Sequence, residues 1–371
     1  MQIAQWVTVA LGVLAVVLTG LSLVPGSHWA VRLWDFPRMQ IAFAGALSAF
    51  AYGAVFFERG TAEWAFLAVV TLATLWQMRK VYPYTWIAPV QVQRSRRTPK
   101  EGGGEHPSFR LLITNVLMEN TQHHRLLKVI DDADPDVVLA VETDAAWAAA
   151  LDPLAERYPH VVRQPQDNWY GMMLFSRLPL LEGRIEFLVQ DDIPSVHAVL
   201  QLPGGIRVFL RGLHPRPPEP IRRQHSTPRD AELVVVGRAV EAAGDRPTVV
   251  AGDLNDVAWS PSSELFIRLA GLLDPRRGRG FYNSYHARIP LFRYPLDHVF
   301  HSSHFRLVEL RRLPPIGSDH FPMLVELSYE PDAPAEQDEP EREPGDEARA
   351  EERLEAQAQA AATGDDMPKG E

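Results

Sequence analysis

Thr248-Val249-Val250-Ala251-Gly252-Asp253-Leu254-Asn255-Asp256 decides how this chain is read. The first four residues follow a proline turn at Arg246-Pro247 and form an apolar run of the kind that makes a buried strand. Gly252 ends the run, since glycine lets a backbone turn sharply beside a ligand. Asp253 and Asn255 leave the strand end two residues apart and can face one space. The carboxylate can act as base or anchor, while the amide donates and accepts hydrogen bonds and stays neutral. The pair suits phosphate-ester chemistry. Gly-Asp-x-Asn is also ordinary turn chemistry, so partners elsewhere must decide.

Outward from this stretch, strands and helices alternate. Apolar runs predict strands over 110–116, 136–142, 171–176, 183–189, 195–202 and 206–213, with short ones over 297–301, 306–310 and 323–328. Amphipathic or capped segments predict helices over 120–131, after a Thr143 cap, over 227–243 behind Thr227-Pro228, and over 261–270 behind Ser260-Pro261. Open α/β sheets place ligands at the carboxyl ends of strands. Those ends carry Asn115, Glu142, His214, Asp253 and Asn255, while Asp297 opens a later strand and Asp319-His320 sits in a Gly-Ser-Asp-His turn. Each has a bland reading as a cap, loop residue or ion pair. Glu142 is the hardest to dismiss, because a carboxylate beside so apolar a run is costly unless paired or metal-bound.

These residues, in this order, make 109–329 resemble the endonuclease/exonuclease/phosphatase family, the deoxyribonuclease-I-like fold. The matching pieces are Asn115, Pro135-Asp136-Val137-Val138 leading to Glu142, Gly171 to Arg177, His214, Gly252-Asp253-Leu254-Asn255, Leu296-Asp297-His298 and Ser318-Asp319-His320. Phe175 replaces the usual small or aliphatic residue of the third piece. The resemblance implies an α/β four-layer sandwich: two mixed β-sheets flanked by helices, with the site at one end. It also implies that Asp297 orients His320 and that Asn255 and His214 bind phosphate oxygens. Either His320 or Asp253 is the base that activates water. Glu142, helped by Asn115 and Asp319, offers hard oxygen ligands of the kind that suit Mg²⁺ or Mn²⁺. The expected activity is hydrolysis of a phosphodiester or phosphomonoester, in nucleic acid or a phospholipid headgroup. The competing expectation is a non-catalytic membrane-tethered binding or scaffold module. A scaffold has no need to keep Glu142, Asp253, Asn255, Asp297 and His320 together.

Residues 1–80 read as a membrane anchor. Apolar runs over about 6–24 (uncharged), 39–57 and 62–78 each have the length of a bilayer-spanning helix. Trp29, Trp34, Trp76, Tyr82, Tyr84 and Trp86 cluster at their ends, as at a membrane interface. Three spans put the first link on the same side as everything after the third. That side carries Arg32, Arg38, Arg79, Lys80, Arg94, Arg96, Arg97 and Lys100, which places the main domain in the cytoplasm of a cell with an integral inner-membrane anchor. Residues 81–108 read as an interfacial segment and a linker containing Gly102-Gly103-Gly104.

The net charge of −10 is concentrated at one end. From Glu330 onward there are 15 acidic and 4 basic residues, so the body is near neutral and not a basic nucleic-acid binder by net charge. Residues 330–371 read as a disordered acidic tail able to bind a protein partner, with a transient helix over 348–362. The absence of cysteine rules out disulfides and thiolate metal sites. Arg216, Arg222, Arg223 and Arg229 flank the His214 loop as a candidate rim, with solvated charge or ion pairing preferred. Asp191-Asp192 and His123-His124 read as solvent-facing, His197 as structural, and Asp256 has no assigned part.

Overall fold

The computed structural model describes residues 1–95, 106–218 and 225–364. Its strands, numbered along the chain, are β1 (Ser108–Asn115), β2 (Val137–Val141), β3 (His160–Gln164), β4 (Met172–Ser176), β5 (Leu180–Phe187) and β6 (Pro194–Gln201), then β7 (Arg207–Leu213), β8 (Thr248–Asp253), β9 (Asp297–His301), β10 (Phe305–Arg312) and β11 (Met323–Tyr329). The helices are α1 (Gln2–Leu23), α2 (Trp29–Arg32), α3 (Arg38–Ala51), α4 (Thr61–Val81), α5 (His123–Ala133), α6 (Ala145–Leu151), α7 (Thr227–Ala243), α8 (Pro261–Ala270) and α9 (Asp346–Thr363).

One sheet has the order β10-β11-β1-β2-β4-β3 and the other β5-β6-β7-β8-β9. Both are mixed: β1–β2 and β7–β8 are parallel, and the remaining pairs antiparallel. Strand periodicity builds the layers. Leu111, Ile113, Leu139, Val141, Val249 and Ala251 point into the space between the sheets. Their neighbours Leu112, Val138 and Ala140 point outward and are covered by α5 and α6. Val250 points the other way, into the layer of α7 and α8. Four layers result, with the parallel pairs central in each sheet.

Those two parallel pairs position the site. Asn115 lies beside Val141, the residue before Glu142, and Leu213, the residue before His214, lies beside Gly252. Asp253 in turn pairs with Asp297. The polar residues therefore emerge at one end of both sheets. Gly252 has φ +141°, and a Cβ there would lie 2.0 Å from the Leu213 carbonyl oxygen, so the β7–β8 approach demands glycine.

Several sequence expectations need correction. Among the described residues, only Gln2–Leu23 and Arg38–Phe56 are long and apolar enough to cross a membrane by themselves; α4 falls short of that mark. It carries Glu63, Arg79 and Lys80 within its length. It packs along the other two, and Lys80 pairs with Glu264 at 2.9 Å. The 81–95 part, read as interfacial, packs on the domain: Tyr84 and Val92 are fully buried, and Tyr84 Oη donates to the Ala258 carbonyl at 2.7 Å. Tyr84 thus serves the protein core, whereas Trp86 remains exposed. The glycine run and Arg96, Arg97 and Lys100 lie outside the described residues.

The acidic tail is not disordered up to residue 364. Ala350 packs on Val234, Leu265 and Leu269, Arg268 holds Asp346 at 2.9 Å, and Arg306 holds the buried Glu330 at 2.9 Å. Composition hid this because the arginines and apolar groups that order the tail lie on α7, α8 and β10. Residues 365–371 lie outside the described residues. Locally, Asp144 rather than Thr143 caps α6, accepting from Trp147 N at 2.8 Å, and Ser226 rather than Thr227 sits at the N-cap of α7. Strand β3 is half-buried and lacks the long apolar run that marks its neighbours.

Candidate active site

Asn115 joins the two sheets. Its Nδ2 donates to Glu142 Oε1 at 2.7 Å and to Asp253 Oδ2 at 3.0 Å, while its Oδ1 accepts from Leu117 N at 3.0 Å. Ser318 Oγ donates to the Asn115 carbonyl at 2.9 Å and accepts from His320 N at 2.9 Å. The Gly-Ser-Asp-His turn is thereby pinned to the end of β1. Glu142, Asn255 and Leu117 all have positive φ, between +52° and +61°, in the region that non-glycine residues visit rarely. Such strain gathers where the surroundings over-determine a conformation.

His320 is nearly buried and stands between two carboxylates. Its Nδ1 lies 2.7 Å from Asp297 Oδ2, and its Nε2 lies 3.5 Å from Asp253 Oδ2. Burial alone lowers an imidazole, but Asp253 and Asp297 outweigh it and raise His320 to about 10. The ring is an imidazolium at neutral pH. Burial pushes Asp253 above the usual carboxylate range, with His320 opposing. Asp253 Oδ1 accepts from Asn255 N at 2.9 Å.

His214 differs. Burial depresses it to about 4, so it is neutral at pH 7. Its Nε2 is 3.9 Å from Asp253 Oδ2, its ring lies against Tyr170 at 5.4 Å, and its Nδ1 has no partner. Glu142 is raised to about 7 by burial, which the Asn115 hydrogen bond only partly offsets. Its Oε2 accepts only a 3.3 Å contact from Met118 N, and no lysine or arginine pairs with it among the described residues.

A cavity of about 750 Å³ opens on this cluster. Asn115, Glu142, Asn255, Asp319 and His320 line it. Asp253, Asp297 and His214 do not, and each is almost wholly buried. The structure therefore gathers all eight predicted residues, five on the cavity surface and three beneath it. The Asn255 amide is turned to the Pro215 carbonyl at 2.9 Å.

A divalent cation fits two places. Asp253, Asp297 and His320 offer atoms all within 4.8 Å of one another. However, an imidazolium already occupies that space and pairs both carboxylates. Glu142 and Asp319 offer hard oxygens on the cavity surface, and Glu142 is a half-buried carboxylate without a lysine or arginine partner among the described residues, which favours the second place.

The preferred ion-pair reading of the arginines holds for Arg216 and Arg229. Arg216 is buried, held by Asp192 at 2.5 Å and Gln190 at 3.2 Å, over the Tyr170 ring. Asp192 is thus a partner and not a solvated loop charge. Arg229 is buried between Asp230 and Asp256 and donates to the Asn255 carbonyl at 2.8 Å. Asp256 accordingly has a part, anchoring the loop that carries Asn255. Arg222 and Arg223 lie outside the described residues. His123 is half-buried against Trp147 rather than free in solvent. Sequence reasoning missed Tyr170 and Tyr285, whose rings flank His214 and His320. It also missed Trp29, Leu33, Trp34, Phe36 and Pro37, which wall the cavity. No pattern near the site residues signalled the latter group; it lies some eighty residues before Asn115.

A family model described as the Endonuclease/Exonuclease/phosphatase family matches residues 113–320. No curated protein matches the chain. Among solved structures, the human Nocturnin catalytic domain with bound sulfate anion is 16% identical, covering 63% of this chain and 100% of that one, with a TM-score of 0.50. A D. rerio TDP2 complexed with single strand DNA product is 18% identical over 59% and 98%, with a TM-score of 0.49. Sphingomyelinase C from Streptomyces griseocarneus is 19% identical over 60% and 100%, with a TM-score of 0.45. At these identities the likeness speaks to the fold alone.

Proposed function

The chain belongs to the endonuclease/exonuclease/phosphatase family, and from that premise we propose that it is a divalent-metal-dependent phosphoesterase. The observation that supports this best is the hydrogen-bonded chain Glu142–Asn115–Asp253 with the Asp253–His320–Asp297 pairing at its end. It joins an electrophile-binding carboxylate to an acid–base pair across two sheets.

Glu142 and Asp319 would hold Mg²⁺ or Mn²⁺, and Asn115 would fix the Glu142 carboxylate with its amide hydrogens. The bound cation would supply charge stabilisation to a phosphoryl oxygen. His320, held protonated by Asp297, donates toward the phosphate and stabilises the negative charge that builds there. A protonated ring cannot also accept a proton, so Asp253 takes it from the attacking water. Oxygen from that water bonds to phosphorus, the ester P–O bond breaks, and the leaving oxygen is protonated. Asn255 orients the phosphate from the cavity wall. His214 lies beneath that wall and supports Asp253 as a neutral neighbour.

In this reading α1 and α3 lie in a bilayer, and α4, packed along both, returns the chain to the side of the α1–α3 link, so that link and site share one face of the membrane, the cytoplasmic one. The test is hydrolysis of a small chromogenic phosphodiester by the full chain in detergent. Activity should need Mg²⁺ or Mn²⁺ and vanish with EDTA. Asp253→Ala and His320→Ala should each lower kcat/KM by about a thousandfold or more, the size of losing an acid–base group together with its charge stabilisation. Metal-independent activity, or unchanged rates in both variants, would sink the proposal.

A further inference from the structure

The cavity that opens on Glu142 and His320 has two chemically different ends. The polar end is the cluster above. The other wall comes from outside the region 113–320 that the family model matches. It consists of Trp29, Leu33, Trp34 and Phe36, in the link between α1 and α3, with Phe292 facing them. The link is firmly placed: Trp259 Nε1 donates to the Asp35 carbonyl at 2.7 Å, and Ser226 N donates to the Ser27 carbonyl at 2.9 Å. This apolar wall belongs to the folded site.

The wall continues to the two helices that qualify as membrane spans. Leu33, Ile289, Leu291 and Phe292 are exposed by 43%, 43%, 66% and 49%. Gln40, near the start of α3, donates to the Leu291 carbonyl at 2.7 Å and holds that apolar loop at the foot of the helix. Among the described residues no lysine or arginine lines the cavity. A single-stranded polyanion needs a groove of cations along its backbone as well as stacking rings. A small hydrophilic ester would leave the aromatic wall in contact with nothing. An amphiphile uses both ends.

We propose that Trp29, Leu33, Trp34 and Phe36 form the hydrocarbon subsite for a membrane lipid whose phosphate ester reaches Glu142 and His320. The inference rests on the phosphoesterase reading and adds its substrate class. The link between the two apolar helices is then a specificity element, and lipid enters past Leu33 and Phe292 from the bilayer surface without leaving it completely.

The experiment uses the full chain in detergent with Mg²⁺ or Mn²⁺ and p-nitrophenyl alkyl phosphates from ethyl to decyl, below their micelle concentrations. Wild-type kcat/KM should rise about threefold per added methylene until the cavity is filled, the factor expected for burying a CH₂ group. Leu33→Asp, at an exposed position where folding is not at stake, should flatten that rise. Trp34→Ala should flatten it as well. Binding of alkyl phosphonates, followed by tryptophan fluorescence in EDTA, should show the same dependence on chain length and lose it in Leu33→Asp. A flat series with good ethyl hydrolysis, or an unaltered slope in Leu33→Asp, overturns the lipid subsite and leaves the phosphoesterase standing. Hydrolysis of no ester at all overturns both. Faster cleavage of a single-stranded oligonucleotide, slowed by Leu33→Asp, assigns the wall to bases and overturns the lipid inference.

Discussion

Two buried charge clusters lie on either side of Asn255, and they are built differently. Beyond Asp256, Arg229 meets Asp230 at 2.9 Å and Asp256 at 3.3 Å, while Asp35 meets Arg32 at 3.1 Å and also pairs with Arg38. Every charged group there faces an opposite charge. On the other side, Asp253 and Asp297 share one imidazolium, and Glu142 joins them only through Asn115. Among the described residues, Asp297 Oδ1 and His214 Nδ1 have no hydrogen-bond partner, and no lysine or arginine pairs with Glu142. A closed cluster holds structure together. An acidic surplus beside a cavity is a cost to folding that a bound cation and phosphate can offset. The difference separates a joint from a site, although both are buried ion networks on the same loop.

The sharpest way to break this contrast is to remove one group from each side. Arg229→Met leaves Asp230 and Asp256 buried without their cation and should destabilise the chain by about 3–5 kcal/mol, read as a shifted urea midpoint. Asp253→Asn removes a carboxylate from the surplus side, so stability should hold or rise while kcat falls by about a hundredfold or more. Equal destabilisation by both variants would erase the distinction.

A smaller effect concerns Glu142. Burial raises it to about 7, so the folded chain keeps that proton at pH values where a free carboxyl has lost it. A divalent ion must displace the proton. Its affinity, measured by calorimetry, should therefore fall about tenfold per pH unit below 7. Glu142→Gln should remove that dependence together with most of the binding.

The smallest effect is on stability at alkaline pH. His320 is raised to about 10 by Asp253 and Asp297 against the pull of burial. A group raised in the folded state stabilises fully below its unfolded value, about 6.5. That stabilisation declines as pH climbs and is gone above about 10. Denaturant midpoints should fall across this window in wild type and stay flatter in His320→Gln.

Much of the site was legible because strand ends announce themselves. An apolar run followed by Glu142, His214 or Asp253 marks where a buried strand meets a ligand-facing edge, and the order of the motifs carried the family. Glu142 was also legible as a problem, since a carboxylate at so apolar an edge needs compensation. Asp256 and Arg229 were opaque. Their meaning comes from a pairing between a helix and a loop 27 residues apart, and no local pattern records it. Likewise, an acidic composition made 330–364 look unable to fold alone, which is a statement about isolated chain. The arginines of α7, α8 and β10 supply what the tail lacks.

The sequence by itself determined the α/β alternation and the residues at the strand ends, because side-chain period and strand-end chemistry are local; the two-sheet fold came with the family resemblance that those motifs carry. It did not determine the second wall of the cavity. Trp29, Leu33, Trp34 and Phe36 read as membrane-interface aromatics or as nothing in particular, and only the packing of the link against β8, α8 and the Ile289–Phe292 loop turned them toward Glu142 and His320. Apolar surface has no address in sequence. What covers it is decided by the shape of everything else, and here that shape places an oily wall beside a phosphate site.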